Sequence, residues 1–521
     1  MIALDRLLVG RTTSSASRGT ARWMGAGEAW LRCRDSGKGA FRIGRSYRRD
    51  TWPFSLGLAK ADGLSIGVVG DSGEGKGRSI LVPNAATYDG PLLSIDVMGE
   101  QALTTALARA RDHEVLVLDP MGVCAAWRKG KPLGLEGSIN PLDMLDKDDP
   151  CVVDEIRALV RELIEDEPGQ GGGDYWVPIT RRFVAGVYGL MVAAGDGTLS
   201  GVLDIFSWPE DKREQFIQTK LCDFFWDNDL GDLVRDGGRA WAKQIPKGKV
   251  IIADTIEKNL GIFGSAPMRR VLQSGPLRFR DLKRRKISIY IVLPTSKVRS
   301  HGVWLRILAD AAIRDLGDER AEPEVPALLM FDEFANLGKM QRVREAATYA
   351  RGDGYRILWT IQAVSQLEDL YGNGWKTMFS QTGILILLGV QDQETLREIS
   401  DSIGDTERWP KWYWTKLLFN LLKKDRHFAL ESETVPLARP EEIRDFCSLY
   451  GGKALARIRG CRWLRYERVN YDQSLVAGVD YITHPRFSGG AIAPAFEAVE
   501  APPEQKKLED AAAKAKLVEA A

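Results

Sequence analysis

A glycine-rich loop between an apolar stretch and a helical stretch constrains the fold of this chain more than any other feature. Residues 70–77 read Gly-Asp-Ser-Gly-Glu-Gly-Lys-Gly and follow the apolar stretch 64–69. They fit the pattern G-x-x-x-x-G-K, whose glycines turn backbone N–H groups around phosphate oxygens at the positive end of the next helix. This order predicts an α/β domain with a phosphate site formed by Gly70, Asp71, Ser72, Gly73, Glu74, Gly75, Lys76, Gly77 and Arg78.

One position departs from the usual loop. The residue after the lysine is normally Ser or Thr, whose hydroxyl binds magnesium, and here it is Gly77. Because the chain contains 52 glycines, the same pattern also fits a structural turn. The loop alone therefore indicates a nucleotide site without establishing one.

A second feature supplies the carboxylates that such a loop requires. The apolar stretch Ala327–Phe331 ends in Asp332 and Glu333. In P-loop ATPases the Asp at the end of this strand holds Mg²⁺, and the adjacent Glu polarises the attacking water. Capping of the next helix is the alternative for such a pair. Together with the loop, the pair favours an ATP and Mg²⁺ site, with Asp332 as metal ligand and Lys76 and Glu333 as catalytic residues.

Two later polar residues are candidates for the remaining catalytic roles. Gln362 follows the apolar stretch Tyr355–Ile361, so it is expected at the edge of a neighbouring strand, where a Gln can sense the γ-phosphate or orient water. Arg351 follows the Asp-Glu pair on a predicted helix and is a candidate arginine finger toward a neighbouring subunit's nucleotide. The alternatives are a polar cap at a strand end and an arginine on a helix surface.

The order of apolar stretches predicts how the chain is divided. Short apolar strands alternate with amphipathic helices after residue 64 and again after residue 287, which predicts parallel strands with right-handed crossovers. Between 149 and 275 the pattern is helical almost throughout. The predicted parts are a basic N-terminal arm (1–60), a nucleotide-binding domain (61–149 and 276–475), an inserted all-α domain (150–275) and a C-terminal extension and tail (476–521).

Charge, cysteine content and hydropathy limit the classes of function. The formal net charge of +1 shows no global basic excess of the kind found in small DNA-binding domains. Six cysteines without a CxxC pair and four histidines provide no zinc-binding spacing, and they fit a reducing compartment. The longest apolar runs, such as 183–194, are about a dozen residues, shorter than the roughly 20 needed to span a bilayer. We therefore expect a cytoplasmic protein.

Several short blocks occur in the order found in one family of motors. They lie at 80–84, 93–100, 117–120, 140–142, 331–338, 362–367, 371–372 and 436–443. Their collinearity, over roughly residues 64 to 470, resembles the coupling proteins of type IV secretion, the TraG/TraD type of conjugative DNA transfer ATPase. The resemblance implies a RecA-like P-loop ATPase domain with a mainly parallel sheet, interrupted by an inserted all-α domain.

The resemblance also implies an activity and partners. Such motors form hexamers, recruit relaxase-bound single-stranded DNA or protein effectors from the relaxosome, and translocate them to inner-membrane components of the secretion channel. Family members often carry Gly after the P-loop lysine, so Gly77 is expected there. The order Glu333, Arg351, Gln362 is similar to the family's order of acid, finger and sensor.

Two departures from the family pattern matter. Met98 stands where the family usually has Lys, which puts in doubt any DNA or phosphate contact at that position. Typical members begin with transmembrane helices, and the sequence pattern here predicts none. The expected location is the cytoplasm with peripheral recruitment to the inner membrane, through another membrane protein or through the basic N-terminal segment, which has 11 Lys and Arg against 4 Asp and Glu in its first 50 residues.

Other functions and DNA contacts stay open at this point. A non-hydrolysing nucleotide-binding adaptor is favoured by Gly77 and Met98 and opposed by the Asp332-Glu333 pair, and a chromosome-segregation type DNA pump is opposed by the helical insertion. The basic cluster 278–286 could contact DNA phosphates or form a solvated turn. The stretch 409–428, rich in Trp and Lys, suits DNA, a membrane or a neighbouring subunit equally.

Overall fold

The residues that the structure describes are built around one sheet of eleven strands. It is a computed structural model that describes residues 20–33, 38–46, 55–58, 65–165, 173–349, 352–408 and 433–471. In chain order the strands are β1 (Phe41–Ser46), β2 (Ser55–Leu58), β3 (Ile66–Val69), β4 (Leu92–Val97), β5 (Glu114–Leu118), β6 (Ile287–Leu293), β7 (Ala327–Phe331), β8 (Tyr355–Ile361), β9 (Ile384–Leu387), β10 (Asp405–Arg408), β11 (Glu433–Pro436), β12 (Lys453–Ile458) and β13 (Leu464–Glu467).

The strand order in the main sheet is β2-β1-β13-β12-β9-β3-β8-β7-β4-β6-β5. From β9 to β5 all neighbours are parallel. From β9 to β2 the neighbours are antiparallel. The strands β10 and β11 pair with each other in a separate ribbon. The mainly parallel sheet predicted from the sequence is confirmed.

The parallel strands are apolar because both faces of the sheet are covered. All seven residues of β6 are buried. Ile289 and Ile291 contribute to the hydrophobic core on one face, whereas Tyr290 and Val292 contribute to the core on the other face. This two-residue alternation between two apolar environments produces the continuous apolar stretches seen in the sequence.

The helices connect and cover these strands. In chain order they are α1 (Ala26–Arg32), α2 (Val82–Thr87), α3 (Glu100–Arg109), α4 (Val123–Trp127), α5 (Val152–Leu163), α6 (Gly173–Ala194), α7 (Gly201–Ser207), α8 (Glu210–Phe216), α9 (Asp229–Ala242), α10 (Pro246–Leu260), α11 (Ala266–Val271), α12 (Thr295–Asp318), α13 (Gln341–Tyr349), α14 (Val364–Tyr371), α15 (Trp375–Gln381), α16 (Gln393–Ile403) and α17 (Pro440–Phe446). A wide helical turn, Gly77–Leu81, leads directly into α2.

The described part of the segment 150–275 is helical and contains no strand. Its central helices α6 and α9 cross closely, because a Cβ at Gly186 would lie only 2.7 Å from Gly237 Cα. Phe183 and Trp241 pack beside this crossing with their rings tilted by 34° and ring centroids 5.1 Å apart. An α/β fold with an inserted helical unit is therefore confirmed, while the domain boundaries themselves stay predictions.

One helix differs from the expectation about apolar length. In the described residues, Tyr175–Ala194 is the one helix long and apolar enough, by length and composition, to cross a membrane. The uninterrupted apolar run is only 183–194, whereas the helix begins several turns earlier. Half of this window is buried inside the protein, and Phe183 and Tyr188 are fully buried. Core helices of globular proteins meet the same test.

Part of the predicted N-terminal arm is a structured edge of the sheet. Within 1–60, β1 pairs with β13 and β2 pairs with β1. Phe41 and Ile43 are buried while Arg42 lies half-buried between them, an alternation too short to stand out in an arginine-rich segment. These two strands of the predicted arm therefore belong to the sheet, and the boundary of the arm stays a prediction. Residues 1–19 and the predicted tail 476–521 lie outside the described residues.

Candidate nucleotide site

The sheet brings the predicted site residues to one edge. β3 lies between β9 and β8, and β8 separates β3 from β7. Because these strands are parallel, the loop after β3, the carboxylates after β7 and the glutamine after β8 all lie at the carboxyl-terminal edge, where open α/β sheets bind their ligands. The register aligns Val69 with Ile361 and Phe331 with Trp359, so β3 and β8 end level and β7 ends two residues earlier.

The glycine-rich loop has the backbone that a phosphate cradle requires. Gly73 and Gly75 have φ angles of +84° and +87°, a region that glycine adopts without steric cost. A Cβ at Gly73 would meet no atom within 4 Å, so the surface above the loop is open. The Lys76 ammonium folds over the loop and donates to the Gly70 carbonyl oxygen at 2.7 Å. The loop and its lysine fit the phosphates of a nucleotide.

Three of the predicted residues meet around one carboxylate. Lys76 Nζ lies 3.5 Å from Glu333 Oε1, and both side chains are largely buried. On the other side, Gln362 Nε2 donates to Glu333 Oε2 at 3.0 Å. Residues from β3, β7 and β8 that are far apart in sequence thus form one connected group beside the loop.

The backbone at Glu333 is held in an uncommon conformation. Its φ of +51° is left-handed, which is rare for a residue other than glycine. Thr360, fully buried on β8, supports it: the hydroxyl accepts from the Glu333 N–H at 3.0 Å and donates to Asp332 Oδ1 at 3.1 Å. Strain of this kind is characteristic of functional sites, and it directs the Glu333 side chain toward Lys76 and Gln362.

Asp332 lies in an acidic environment. Burial, followed by the charge of Glu333, raises the pKa of Asp332 to about 7. Burial also raises the pKa of Asp96, at the end of β4, well above its usual value. A divalent cation would stabilise the ionised form of such carboxylates. No three His, Cys, Asp or Glu side chains of the described part form a preformed metal cage. Mg²⁺ bound with a nucleotide needs only one or two carboxylates, because phosphates and waters supply its other oxygens.

The remaining loop residues attach the loop to its surroundings. Asp71 Oδ2 accepts from the Gln391 N–H at 2.9 Å, and the Glu74 carbonyl oxygen accepts from Arg468 Nη1 at 2.8 Å. The Arg78 carbonyl oxygen accepts from the Tyr471 N–H at 3.0 Å. Ser72 is exposed at the tip. These contacts hold the loop in place, and direct nucleotide contacts by these four side chains stay predictions.

Arg351 and Met98 are the two remaining positions that the sequence analysis singled out. Arg351, the candidate finger, lies outside the described residues. Met98 follows β4 with a φ of +93°, and its N–H donates to the Leu293 carbonyl oxygen at 3.0 Å. Its side chain is 41% exposed, which leaves it accessible at the same sheet edge as the loop.

The basic cluster 278–286 pairs with acids of the same chain. Arg284 Nη2 lies 2.6 Å from Glu319 Oε2, and Arg285 Nη1 lies 2.7 Å from Glu114 Oε2. The cluster precedes β6, so it lies at the amino-terminal edge, opposite the loop. This geometry favours a structural turn over a DNA contact. The aromatic and basic stretch 409–428 lies outside the described residues, between β10 and β11.

Sequence reasoning missed Thr360 and two carboxylates at the same edge, Asp96 and Glu100. Thr360 was detectable as a polar residue two positions before Gln362 within an apolar strand. Asp96 and Glu100 belong to the block 93–100 that carries the family resemblance, but their place beside Asp332 depends on β4 lying next to β7, which the sequence does not specify.

Comparisons with known proteins agree on one family. The model of the family "Type IV secretory system Conjugative DNA transfer" matches residues 35–446. Protein VirD4 of Agrobacterium fabrum is 25% identical over 486 residues, which cover 87% of this chain and 65% of that protein. A probable conjugal transfer protein TraG of Sinorhizobium fredii is 22% identical over 75% of this chain and 63% of that protein. The chain thus spans about two thirds of these relatives.

Solved structures share the fold. The plasmid coupling protein TrwB in complex with a non-hydrolysable ATP analogue superposes with a TM-score of 0.60 at 15% identity, covering 88% of this chain and 96% of that chain. The same protein in complex with ADP and Mg²⁺ superposes with a TM-score of 0.59 at 15% identity, covering 87% and 94%. The match covers the parallel sheet and the helical insertion together.

Proposed function

Because this chain belongs to the type IV secretory system conjugative DNA transfer family, we propose that it is an ATP-driven coupling protein. It recruits relaxase-bound single-stranded DNA, or protein effectors, and translocates them to a type IV secretion channel during conjugation. The observation that carries the proposal is the group of Lys76, Glu333 and Gln362 beside an open phosphate loop. That TrwB is known in complex with an ATP analogue, and with ADP and Mg²⁺, supports ATP and Mg²⁺ as its ligands.

Each residue of the group has a task in hydrolysis. The Lys76 ammonium exchanges its contacts with the Gly70 carbonyl and the Glu333 carboxylate for the outer phosphates of ATP. This frees the Glu333 carboxylate to polarise the attacking water, which Gln362 orients through its amide. Asp332, fixed by Thr360, is the residue that would hold Mg²⁺, which would offset negative charge on the phosphates. Arg351 is proposed as the finger toward a neighbouring nucleotide.

The assembly and partners belong to the same proposal. A homo-hexamer would enclose single-stranded DNA and bring each subunit's nucleotide to its neighbour. The helical unit at 150–275 would contact the relaxase and the relaxosome. Recruitment to the inner membrane, next to the secretion components, would be peripheral and from the cytoplasm. Size measurement with ATP and DNA tests the ring, since a persistent monomer contradicts it.

ATP turnover with and without single-stranded DNA tests the activity. We expect DNA to stimulate the wild type, Lys76→Ala to bind ATP weakly, and Glu333→Gln to bind ATP but turn over at least about 100-fold more slowly, the contribution of a general base. Glu368→Gln, the same change on the exposed face of α14, is the matched control and should equal the wild type. Nucleotide binding without turnover under any DNA condition would indicate a non-hydrolysing adaptor instead.

A further inference from the structure

The glycine after the P-loop lysine lies under a carboxylate. A Cβ at Gly77 would lie 2.6 Å from Glu100 Oε2 and 3.3 Å from Glu100 Cδ. Real Cβ atoms do not approach other atoms to 2.6 Å, so a serine or threonine at this position would displace Glu100. The carboxylate of Glu100 thus occupies the space that the usual hydroxyl-bearing side chain would take.

Glu100 is the first residue of α3, and the turn before it fixes the position of its backbone. Gly99 has a φ of +76°, and α3 starts directly after it at Glu100. A Cβ at Gly99 would lie 3.3 Å from both Val123 Cγ1 and Val292 Cγ1, so the turn is closely packed. Thr104 Oγ1 donates to the Glu100 carbonyl oxygen at 2.7 Å. The position of the Glu100 backbone is therefore set by the end of β4.

The same arrangement brings Glu100 to the edge that carries Asp332. β4 and β7 are parallel neighbours, and the Asp332 N–H donates to the Ile95 carbonyl oxygen at 3.2 Å. The negative charge of Glu100 contributes to the raised pKa of Asp332, after burial and Glu333. Two carboxylates, from β7 and from the start of α3, therefore act on the same region beside the loop.

The next hydroxyl along the helix does not replace the missing one. Ser79 is buried, and its Oγ donates to the Gly75 carbonyl oxygen at 2.8 Å. That hydrogen bond directs the hydroxyl back at the loop backbone. Of the oxygens near position 77, those of Glu100 are the ones that occupy the place of the usual ligand.

We propose that the Glu100 carboxylate serves, directly or through one water, as the oxygen ligand of nucleotide-bound Mg²⁺ that a P-loop hydroxyl provides elsewhere, and that glycine at 77 is its necessary counterpart. The inference rests on the proposed ATP and Mg²⁺ site. Mg²⁺ accepts hard oxygen ligands and commonly uses one or two carboxylates together with phosphates. Exchanging a neutral hydroxyl for a carboxylate adds a negative charge to the site. The binding of the nucleotide therefore depends more strongly on bound Mg²⁺, and the binding of Mg²⁺ depends more strongly on the nucleotide.

The added negative charge of Glu100 should change nucleotide affinity in opposite directions with and without Mg²⁺. With Mg²⁺, Glu100 strengthens nucleotide binding by holding the cation. Without Mg²⁺, its negative charge repels the phosphates, at a cost that is modest in a solvated site. A residue with only a structural role would weaken binding in both conditions when it is replaced.

The test measures equilibrium binding of a fluorescent ADP to the full chain, in a Mg²⁺ titration and in EDTA. For Glu100→Gln we expect half-saturation at about tenfold higher Mg²⁺, and about threefold tighter ADP binding in EDTA. Mn²⁺ in place of Mg²⁺, counted by electron paramagnetic resonance, should show the same loss of bound ion. Glu210→Gln, a glutamate in the first turn of α8, is the matched control and should leave all three unchanged.

A pair of variants at position 77 tests whether glycine is needed there to make room for Glu100. Gly77→Ser alone should force the serine against the Glu100 carboxylate, so that neither oxygen is placed to hold the cation and ADP binding in the presence of Mg²⁺ weakens. Gly77→Ser combined with Glu100→Ala should restore the Mg²⁺ dependence to within about threefold of wild type, since the serine then supplies the ligand. Melting temperatures identify any variant that fails to fold.

Each outcome decides between the two proposals. If Glu100→Gln binds ADP like the wild type in both conditions, or if Gly77→Ser alone is without effect, the assignment of Glu100 is wrong while the proposed nucleotide site stands. If the wild type binds no ADP at any Mg²⁺ concentration, the proposed function itself fails.

Discussion

Two charged regions of this protein are built on opposite principles. At the nucleotide edge, the carboxylates of Asp332 and Glu333 lie beside the ammonium of Lys76, and Asp96 lies near Asp332. At the junction between the helical insertion and the sheet, arginines and acids alternate. Arg314 Nη1 lies 3.2 Å from Glu155 Oε2, and Arg342 Nε lies 2.9 Å from Asp310 Oδ1.

The balance of charge distinguishes a ligand site from an architectural one. A cavity of about 390 Å³ lies at the junction, lined by Asp146, Glu155, Arg280, Arg284, Arg314 and Asp315. Arg280, Arg284 and Arg314 each lie within 4 Å of a carboxylate of the protein, so opposite charges alternate along the wall. The nucleotide edge has an excess of negative charge and a raised pKa at Asp332, which a bound cation would relieve.

The largest expected effect is at the nucleotide edge. Asp332→Asn should reduce ATP turnover by at least about 100-fold, because it removes the carboxylate proposed to hold Mg²⁺. The melting temperature should stay equal or rise, since a carboxylate is removed from beside Glu333. Turnover and thermal unfolding measure the two effects. A fall in both would mean that Asp332 supports the fold rather than the chemistry, and the contrast between the regions would fail.

At the junction, a substitution should lower stability and leave ATP turnover nearly unchanged. Arg314→Ala leaves Glu155 and the buried Asp315 with fewer counter-charges, so we expect the free energy of unfolding to fall by about 3 kcal/mol. ATP turnover per folded molecule should stay within about twofold. Chemical denaturation measures the first effect. Combining the change with Glu155→Gln should recover part of the loss, whereas strictly additive effects would show that the pair is not coupled.

A pH experiment sharpens the picture of the junction. Burial, opposed by Arg314, raises the pKa of Asp315 from 3.8 to about 6. The folded state therefore disfavours ionisation of Asp315. Its contribution lowers the free energy of unfolding progressively as the pH rises from about 4 to 6, and above pH 6 the loss stays constant. Asp315→Asn should gain on the order of 1–2 kcal/mol relative to wild type across that window, measured by urea unfolding. A difference that does not change with pH would contradict the burial argument.

The smallest effect is expected in the basic cluster 278–286. Arg285 is partly exposed and pairs with Glu114 and Asp281, so Arg285→Ala should lower the free energy of unfolding by less than about 1 kcal/mol. Affinity for single-stranded DNA and its salt dependence should be unchanged. A salt slope reduced by about one unit would show that this arginine contacts a phosphate after all.

The sequence predicted the fold class and the meeting of Lys76, Glu333 and Gln362 because both follow from parallel strands. Once strand, loop and carboxylates were in order, the shared sheet edge brought them together. It could not predict that Glu100 lies over Gly77, since that contact depends on which strands are neighbours. Nor did it reveal β1 and β2, whose short alternation at the sheet margin is hidden among arginines. The apolar length of α6 was underestimated because a helix can stay apolar on average across a few polar residues, which interrupt an apolar run in the sequence.

The attachment of the phosphate loop has a consequence for how the protein is made. The loop at residues 70–78 is tied by Arg468 and Tyr471, which lie nearly 400 positions later in the chain. At about 5–20 residues per second, translation needs on the order of 20–80 s to reach them after the loop has been synthesised. Until then the site lacks these ties, so nascent chains on the ribosome hold an unfinished nucleotide pocket. The loop thereby reaches its final attachment only after the sheet has received its last strand.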